Sequence, residues 1–319
     1  MIWWMLGGFV VVAAGAAILL QVAIARDGPA VLSTIDRISG GDGNAQRKAV
    51  VSLGDHPQQK LVVWGPEAGE EISLRRPVIV FVHGGSWRSG DPASYDFIAR
   101  AFVPKGFVVV LGGYRLGEAG QYPAMLEDTA SVIGWTHREI ARHGGDPENI
   151  VIAGHSAGAY NVVMAALEER WLAAEGLTPG EIAGVIGLAG PYDFLPLDSD
   201  STRAAFGEAD DLEATQPIAH VRADAPPKLL IHGERDTLVK PRNTSALASL
   251  IEQAGGKVGV RLYAEMEHND PLISLASPWR DRRDVADLIA NFAIEAGGRR
   301  KQDVTQPDTV SVPVQAQTR

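Results

Sequence analysis

Short, continuously apolar runs recur along this 319-residue chain, and most are followed by a segment with helical character. Such runs are typical of strands that are buried on both faces of a parallel sheet. The sequence therefore predicts an α/β fold in which helices cover both faces of a mostly parallel central sheet. Ligands of such folds bind beyond the carboxyl ends of the strands. The predicted strands are residues 60–64, 77–82, 107–111, 150–153, 182–188, 228–232 and 258–263, and the predicted helices are residues 94–105, 125–143, the segment after Ser156, 244–254 and 281–295.

The composition excludes several classes of protein. A formal net charge of −10 argues against nucleic acid as a partner, because phosphate binding requires concentrated Lys and Arg. The chain has no cysteine, which excludes disulfides, thiolate metal sites and a cysteine nucleophile. Histidines and carboxylates do not recur at a metal-ligand spacing such as H-E-x-x-H, and no glycine pattern of a phosphate-binding loop is present. We therefore predict neither a metal nor a cofactor.

The first part of the chain differs from the rest. Residues 2–24 carry no charge and are long enough, at about 1.5 Å per residue, to cross a bilayer core of roughly 30 Å. Trp3 and Trp4 stand where an interfacial aromatic belt is expected. The segment thus predicts a single-pass membrane anchor over residues 1–25. A cleaved signal, with an A-x-A site at residues 23–25, and a buried core helix are the alternatives. Basic residues after the span favour a cytoplasmic catalytic domain, whereas export by a signal-anchor gives the opposite orientation.

The remaining boundaries follow from local composition. Residues 26–49 mix Gly, Asp, Asn and Ser without clear periodicity and are interpreted as a linker. A catalytic domain is predicted over residues 50–297. The tail over residues 298–319 is polar and proline-containing, and we predict that it is disordered.

A G-x-S-x-G pattern, Gly154 to Gly158, stands between a predicted strand and a predicted helix. Small residues on both sides let the chain turn sharply from strand to helix, which exposes the serine hydroxyl at the edge of the sheet. This context makes Ser156 a candidate nucleophile. A serine hydroxyl is a poor nucleophile at neutral pH and needs an adjacent base.

Candidates for the base and its supporting acid follow the later strands. His268 lies in the loop after the strand at residues 258–263, and Asp236 lies in the turn after the strand at residues 228–232. A carboxylate holds the tautomer of such a histidine, and Glu234 and Asp270 are alternatives to Asp236 for this role. His155, beside the serine, is interpreted as structural. The chain order Ser, Asp, His is that of the α/β-hydrolases.

Backbone N–H groups must also bind the oxygen that becomes negative during attack on a carbonyl. Ala157, directly after the serine, supplies one such group. The loop after the strand at residues 77–82 supplies the others, and we favour Gly85 and Ser86 as the donors. Trp87 follows them and is a candidate wall of the substrate pocket.

These motifs together resemble the α/β-hydrolase fold family. The resemblance is closer to the group of hormone-sensitive-lipase-like carboxylesterases, kynurenine formamidases and feruloyl-esterase-like hydrolases, and it covers roughly residues 50–296. Ser86 departs from the third glycine of HGGG-type lipases, which is more similar to the formamidase and feruloyl-esterase-like branch. The motifs that carry the resemblance are His83-Gly84-Gly85-Ser86-Trp87, Gly113-Tyr114-Arg115-Leu116, Gly144-Gly145-Asp146-Pro147, Gly154-His155-Ser156-Ala157-Gly158 and His232-Gly233-Glu234-Arg235-Asp236.

The sequence thus predicts a membrane-tethered serine esterase with a catalytic triad of Ser156, His268 and Asp236. The absence of a large N-terminal cap implies an open pocket for small to medium acyl groups. An arylformamidase-type amide hydrolase would use the same residues. A catalytically idle interaction module at the membrane is an alternative of a different class.

Overall fold

One eight-stranded sheet organises the computed structural model, which describes residues 21–24, 26–41, 44–67 and 75–305. The strands are β1 (Ala45–Ser52), β2 (Lys60–Pro66), β3 (Arg76–Val82), β4 (Val108–Gly112), β5 (Gly145–His155), β6 (Gly184–Leu188), β7 (Lys228–Gly233) and β8 (Val258–Tyr263). The helices are α1 (26–38, with helical residues also at 21–24), α2 (Asp96–Phe102), α3 (Ala124–Glu139), α4 (Ala157–Leu167), α5 (Glu169–Ala174), α6 (Asp200–Phe206), α7 (Arg242–Gln253), α8 (Asp270–Ile273) and α9 (Val285–Thr305).

The strand order is β1-β2-β4-β3-β5-β6-β7-β8. The strands from β4 to β8 in this order pair in parallel, and β1 and β2 join the edge in antiparallel pairs. The predicted mostly parallel sheet is therefore confirmed. Because the parallel strands run in one direction, the turns after β3, β5, β7 and β8 lie along the same edge of the sheet.

Helices cover both faces of the sheet, as predicted. Side chains of β3 alternate between two hydrophobic clusters: Val80 packs in the cluster that contains α3 and α4, and Ile79 packs in the cluster that contains α2 and α9. This alternation follows from the two-residue period of a strand. Both faces are apolar because both are covered.

The interpretation of residues 26–49 as a linker is not supported by the structure, since α1 and the start of β1 lie there. The periodicity of α1 is hidden because Ser33 and Asp36, two polar residues, are buried on its inner side, while Ile38 is 81% exposed. Strand β1 is an edge strand whose side chains are mostly exposed, so it lacks an apolar run. In α1, burial does not follow hydropathy.

The two predicted terminal segments fall largely outside the described residues. Residues 1–20 and 25 of the predicted anchor are not described, and no helix within the described residues has the length and apolar character needed to cross a membrane. At the other end, α9 continues to Thr305, beyond the predicted start of the disordered tail at residue 298. Residues 306–319 lie outside the described part of the chain.

Candidate active site

Ser156 occupies a sharp turn between β5 and α4. Its backbone has φ 54° and ψ −121°, an unfavourable conformation for a residue with a side chain, which typically costs about 1–3 kcal/mol. The Ser156 N–H donates to the Leu188 carbonyl at 2.8 Å and fixes the turn. Glycine is required nearby, because a Cβ on Gly158 would lie 2.1 Å from the Val82 carbonyl oxygen. The strained turn therefore presents the Ser156 hydroxyl at the sheet edge.

His268 lies in the loop between β8 and α8, and its side chain reaches Ser156. The distance from His268 Nε2 to Ser156 Oγ is 2.9 Å, which is a hydrogen bond. Both residues are 8% exposed. Residues 112 positions apart in the sequence are thus brought together in a largely buried site.

Asp236 lies in the turn after β7 and contacts the other nitrogen of the same imidazole. The His268 Nδ1–H donates to Asp236 Oδ2 at 2.7 Å. The other oxygen, Oδ1, accepts the backbone N–H groups of Leu238 and Val239, each at 2.9 Å. The side chain of Asp236 is fully buried. Every hydrogen bond named here favours the ionised carboxylate over the protonated acid.

The two alternative carboxylates have other positions. Asp270 accepts the Glu267 N–H at 2.8 Å and pairs with the Arg283 guanidinium at 3.0 Å. Glu234 is exposed. The structure therefore brings Asp236, rather than either alternative, to His268.

His232 is a contact of Asp236 that the sequence analysis did not identify. Its Nε2 lies 3.1 Å from Asp236 Oδ2 and 2.8 Å from the Val239 carbonyl oxygen. Since a carbonyl only accepts, Nε2 carries the proton, and Nδ1 is left to accept the Thr244 hydroxyl at 2.8 Å. The sequence signals were its place at the end of a buried strand, four residues before the acid, and its presence in the motif that runs from His232 to Asp236.

The electrostatic environment keeps Asp236 charged. Burial by itself would raise the pKa of Asp236. Hydrogen bonds from His232 and His268, the charge of protonated His268 and the Val239 N–H outweigh this effect and lower the pKa below its usual value. Asp236 is consequently an acceptor over the whole neutral range and can stabilise a positive charge on His268.

His155 contacts the loop that carries His268. Its Nε2 lies 3.0 Å from the carbonyl oxygen of His268, and the ring is 3% exposed. Burial, followed by the charge of His268, lowers the pKa of His155 to about 3. A permanently neutral His155 that donates to this carbonyl holds the backbone that carries His268.

The three predicted oxyanion donors lie around Ser156. Gly85 and Ser86 line the same cavity as Ser156 and His268, and Ala157 begins α4, where the first N–H groups have no partner within the helix. A Cβ on Gly84 would lie 3.2 Å from the Ser156 Cβ, so this loop passes close to the serine. The backbone of Ser86 has a positive φ of 53°.

Trp87 combines packing with a place at the site. Its Nε1–H donates to Asn161 Oδ1 at 3.1 Å, and its ring packs edge-on against Phe206 with centroids 4.8 Å apart. The residue is 4% exposed but still lines a cavity beside Ser156. Trp87 is thus a closely packed side chain in the wall of this cavity.

Two cavities meet at Ser156. The apolar cavity, of about 420 Å³, lies between α1, α8 and the loop of His268. The polar cavity, of about 210 Å³, lies between Trp87, the segment 191–202 and the start of α7. Ser86, Ser156 and Leu238 line both. No group of three or more potential metal ligands occurs within the described ranges.

Comparison with known proteins identifies the family. The sequence profile of the BD-FAE family matches residues 66–251, which include β3 to β7 and most of α7. The chain belongs to the BD-FAE family. The predicted resemblance to the feruloyl-esterase-like group of α/β-hydrolases is thereby confirmed. The family match spans Ser156, Asp236, Gly85 and Ser86, whereas His268 and α1 lie outside it.

Relatives of this BD-FAE protein carry esterase names. It is 30% identical over 246 residues to Esterase LipQ of Mycobacterium tuberculosis, a match that covers 71% of this chain and 57% of LipQ. It is 26% identical over 279 residues to a probable isoprenylcysteine alpha-carbonyl methylesterase of Oryza sativa subsp. japonica, covering 81% of this chain and 66% of that protein. The chain thus spans roughly three fifths of the length of these relatives.

Solved structures show the same fold. A truncated carbohydrate esterase from gut microbiota superposes with a TM-score of 0.68 at 19% identity, covering 81% of this chain and 98% of that one. Butyrate-bound esterase 2 of Thermogutta terrifontis gives 0.63 at 23% identity, covering 82% and 98%. The BD-FAE chain therefore has the α/β-hydrolase fold that the sequence predicts.

Proposed function

We propose that this BD-FAE protein is a serine hydrolase of carboxylic esters. The observation that carries the proposal is the continuous hydrogen-bonded chain from Ser156 Oγ through His268 to Asp236, with distances of 2.9 and 2.7 Å. A nucleophile, a base and an orienting carboxylate in this geometry support acyl transfer through a covalent intermediate. The esterase names of the relatives support an ester as the substrate.

The proposed reaction runs in two halves. His268 Nε2 takes the hydroxyl proton as Ser156 Oγ bonds to the carbonyl carbon, and the carbonyl π electrons move onto oxygen. Collapse of this intermediate breaks the bond to the alcohol oxygen, which leaves with the proton from His268. Water then attacks the acyl-enzyme by the same sequence, releasing the carboxylic acid and restoring the Ser156 hydroxyl. Asp236 stabilises the imidazolium formed in each half.

The oxyanion formed in each half would be bound by the N–H groups of Ala157, Gly85 and Ser86. Loss of one such donor typically costs about 3 kcal/mol of transition-state stabilisation. These donors belong to backbone that is held in place, since the Gly85 carbonyl accepts the N–H groups of Arg88 and Ser89 at 3.0 and 3.1 Å. Little reorganisation is then needed as charge develops.

The decisive test is Ser156→Ala in the full chain. Loss of the nucleophile should lower kcat for p-nitrophenyl acetate by a factor on the order of 10⁶ and abolish labelling by a fluorophosphonate. The matched control is Ser245→Ala, on the exposed side of α7, which should retain both activities. Undiminished ester turnover by Ser156→Ala would refute the assignment. Absence of labelling in the folded wild-type protein would instead favour the idle interaction module, and faster turnover of N-formylkynurenine than of the ester would favour the formamidase.

We also propose that residues 2–24 anchor the protein in a membrane. The support is the uncharged sequence of this segment, which precedes the described catalytic fold. The full chain should remain in the membrane pellet after alkaline carbonate extraction, whereas a chain that lacks residues 2–20 should be released. Recovery of a mature protein that begins near residue 26 would show a cleaved signal and contradict the anchor.

A further inference from the structure

Most of the residues that line the apolar cavity beside Ser156 have no part in the catalytic proposal. None of its described lining residues is Asp, Glu, Lys or Arg. Its volume of about 420 Å³ lies in the range of small-molecule binding sites. An apolar cavity of this size gains most from an apolar ligand, because about 0.8 kcal/mol accompanies the burial of each CH₂ group. Its apolar walls include Val31, Leu32, Ile35, Leu272, Ile273 and Trp279.

Helix α1 contributes Val31, Leu32 and Ile35 to the lining of this cavity and is fixed to the body of the protein. Arg100 of α2 donates from Nε to Asp36 Oδ2 at 2.5 Å and from Nη2 to the Ser33 carbonyl oxygen at 3.1 Å. Asp36 also accepts the Ser277 N–H at 2.7 Å and is fully buried. These contacts involve a buried ion pair and two distant parts of the chain. These contacts hold α1 against α2 and the segment at Ser277, beside the cavity.

The position of His268 distinguishes the two cavities. Among the described residues, His268 lines the apolar cavity and is absent from the lining of the polar one. Ala157 and Trp87 line the polar cavity and are absent from the described lining of the apolar one. His268 must deliver its proton to the leaving alcohol oxygen, so the alcohol part of an ester has to lie on the His268 side of the reacting carbon. The acyl part then extends towards Ala157 and Trp87.

We infer that the apolar cavity walled by α1 binds the alcohol part of the substrate, and that the enzyme selects esters of apolar, extended alcohols. This inference rests on the proposed function. The smaller polar cavity, which contains Asp193, Lys240 and Arg242, would receive a short or polar acyl group. The alcohol part of the ester would thus lie in the apolar cavity and the acyl part in the polar cavity, on the two sides of Ser156.

Two ester series test the inference with the full chain in detergent. Acetate esters of straight-chain alcohols from ethanol to octanol vary the alcohol, and ethyl esters of acids from acetic to octanoic vary the acyl group. These primary alcohols are nearly equal as leaving groups. The dependence of kcat/KM on chain length therefore reports how well the chain is bound. We expect kcat/KM to rise about fourfold for each methylene that enters the cavity in the alcohol series. We expect no such rise in the acyl series.

Two variants of α1 test whether the apolar cavity causes the dependence of kcat/KM on alcohol length. Ile35→Trp places a larger side chain in the cavity and should lower the ratio of kcat/KM for octyl over ethyl acetate at least tenfold. Ile38→Trp makes the same substitution one turn further along, at a residue that is 81% exposed and does not line the cavity, and it should retain the wild-type ratio. Because each ratio is taken within one variant, an unfolded fraction cancels.

The possible failures are distinguishable. A rise in the acyl series with a flat alcohol series would overturn the inference while leaving ester hydrolysis intact. An Ile35→Trp variant with the wild-type ratio would overturn the role of α1. No turnover of any ester, together with no fluorophosphonate labelling of Ser156, would contradict the proposed function itself.

Discussion

At the scale of single residues, the site depends on the hydrogen-bond donors that surround the Asp236 carboxylate. Oδ1 accepts two backbone N–H groups, and Oδ2 accepts His268 and lies within reach of His232. Four hydrogen-bond donors hold the carboxylate in one orientation and keep it ionised. His268, which donates to it, is consequently aimed at Ser156 before any substrate arrives. This preorganisation is what distinguishes a reactive serine from an ordinary buried one.

His232 should therefore behave as a positioning residue. His232→Phe removes the donor to Asp236, and hydrogen bonds to charged groups are typically worth about 1.5–3 kcal/mol. We expect kcat per labelled Ser156 to fall between about tenfold and a hundredfold, with little change in KM. His232→Gln retains a side-chain N–H and should recover part of the loss. A fall that disappears once activity is expressed per labelled site would mean that His232 serves folding alone.

At the scale of elements, α1 shows how a polar sequence can form a buried helix. Its inner side presents Ser33 and Asp36 to Arg100, while Leu32 packs in the cluster of α2 and α9. Ser33 Oγ also donates to Asp96, the first residue of α2. The helix is thus stabilised by specific partners in α2 and near residue 277, which no local pattern in residues 26–38 reveals.

The buried ion pair of α1 should be costly to break. Arg100 is 5% exposed and Asp36 is fully buried, so Arg100→Leu removes the nearer cation of a buried carboxylate and leaves it only Arg280, at 3.6 Å. We expect the free energy of unfolding to fall by about 3–5 kcal/mol.

The exposed pair between Lys105 and Asp287 provides the control. Its side chains are 32% and 69% exposed, and Lys105→Leu should cost less than about 1 kcal/mol. Urea denaturation of both variants gives the comparison. Equal losses for the two would show that the Asp36 pair does not hold α1.

At the scale of the whole molecule, the sequence was sufficient wherever function and fold depend on local patterns. The inner parallel strands were visible because burial on both faces makes them continuously apolar. Ser156, Asp236 and His268 could be selected because each follows a strand that the sequence predicts. Helix α1 was missed because its role depends on contacts with residues far away in the chain. Asp36, for example, meets Arg100 and the Ser277 N–H only after folding. His232 was missed because only the conformation of the turn after β7 brings its ring onto Asp236 and Val239.

Two buried histidines make the stability of the whole molecule sensitive to acid. Burial lowers the pKa of His83 to about 4 and, together with the charge of His268, lowers that of His155 to about 3. The unfolded chain takes up these protons below about pH 6.5, whereas the folded protein does not. The free energy of unfolding should therefore fall as the pH decreases from 6.5 towards 4, by up to roughly 1.4 kcal/mol per pH unit for each histidine.

Urea denaturation at pH 7, 6 and 5 measures this slope. His155→Gln removes one of the two titrating groups and keeps an N–H for the His268 carbonyl, so the slope should decrease. Stability that stays constant from pH 7 to 5, or a slope that His155→Gln leaves unchanged, would contradict the interpretation.

The arrangement of the apolar cavity has a consequence for how such an enzyme can diversify. Its outer wall comes from one continuous stretch of chain that precedes the described sheet, whereas Ser156, Asp236 and His268 come from three separate turns within it. A single recombination within residues 24–35 could exchange this wall and leave all three turns intact. Exchange of this one segment can then change the selectivity for the alcohol without a change in the catalytic residues.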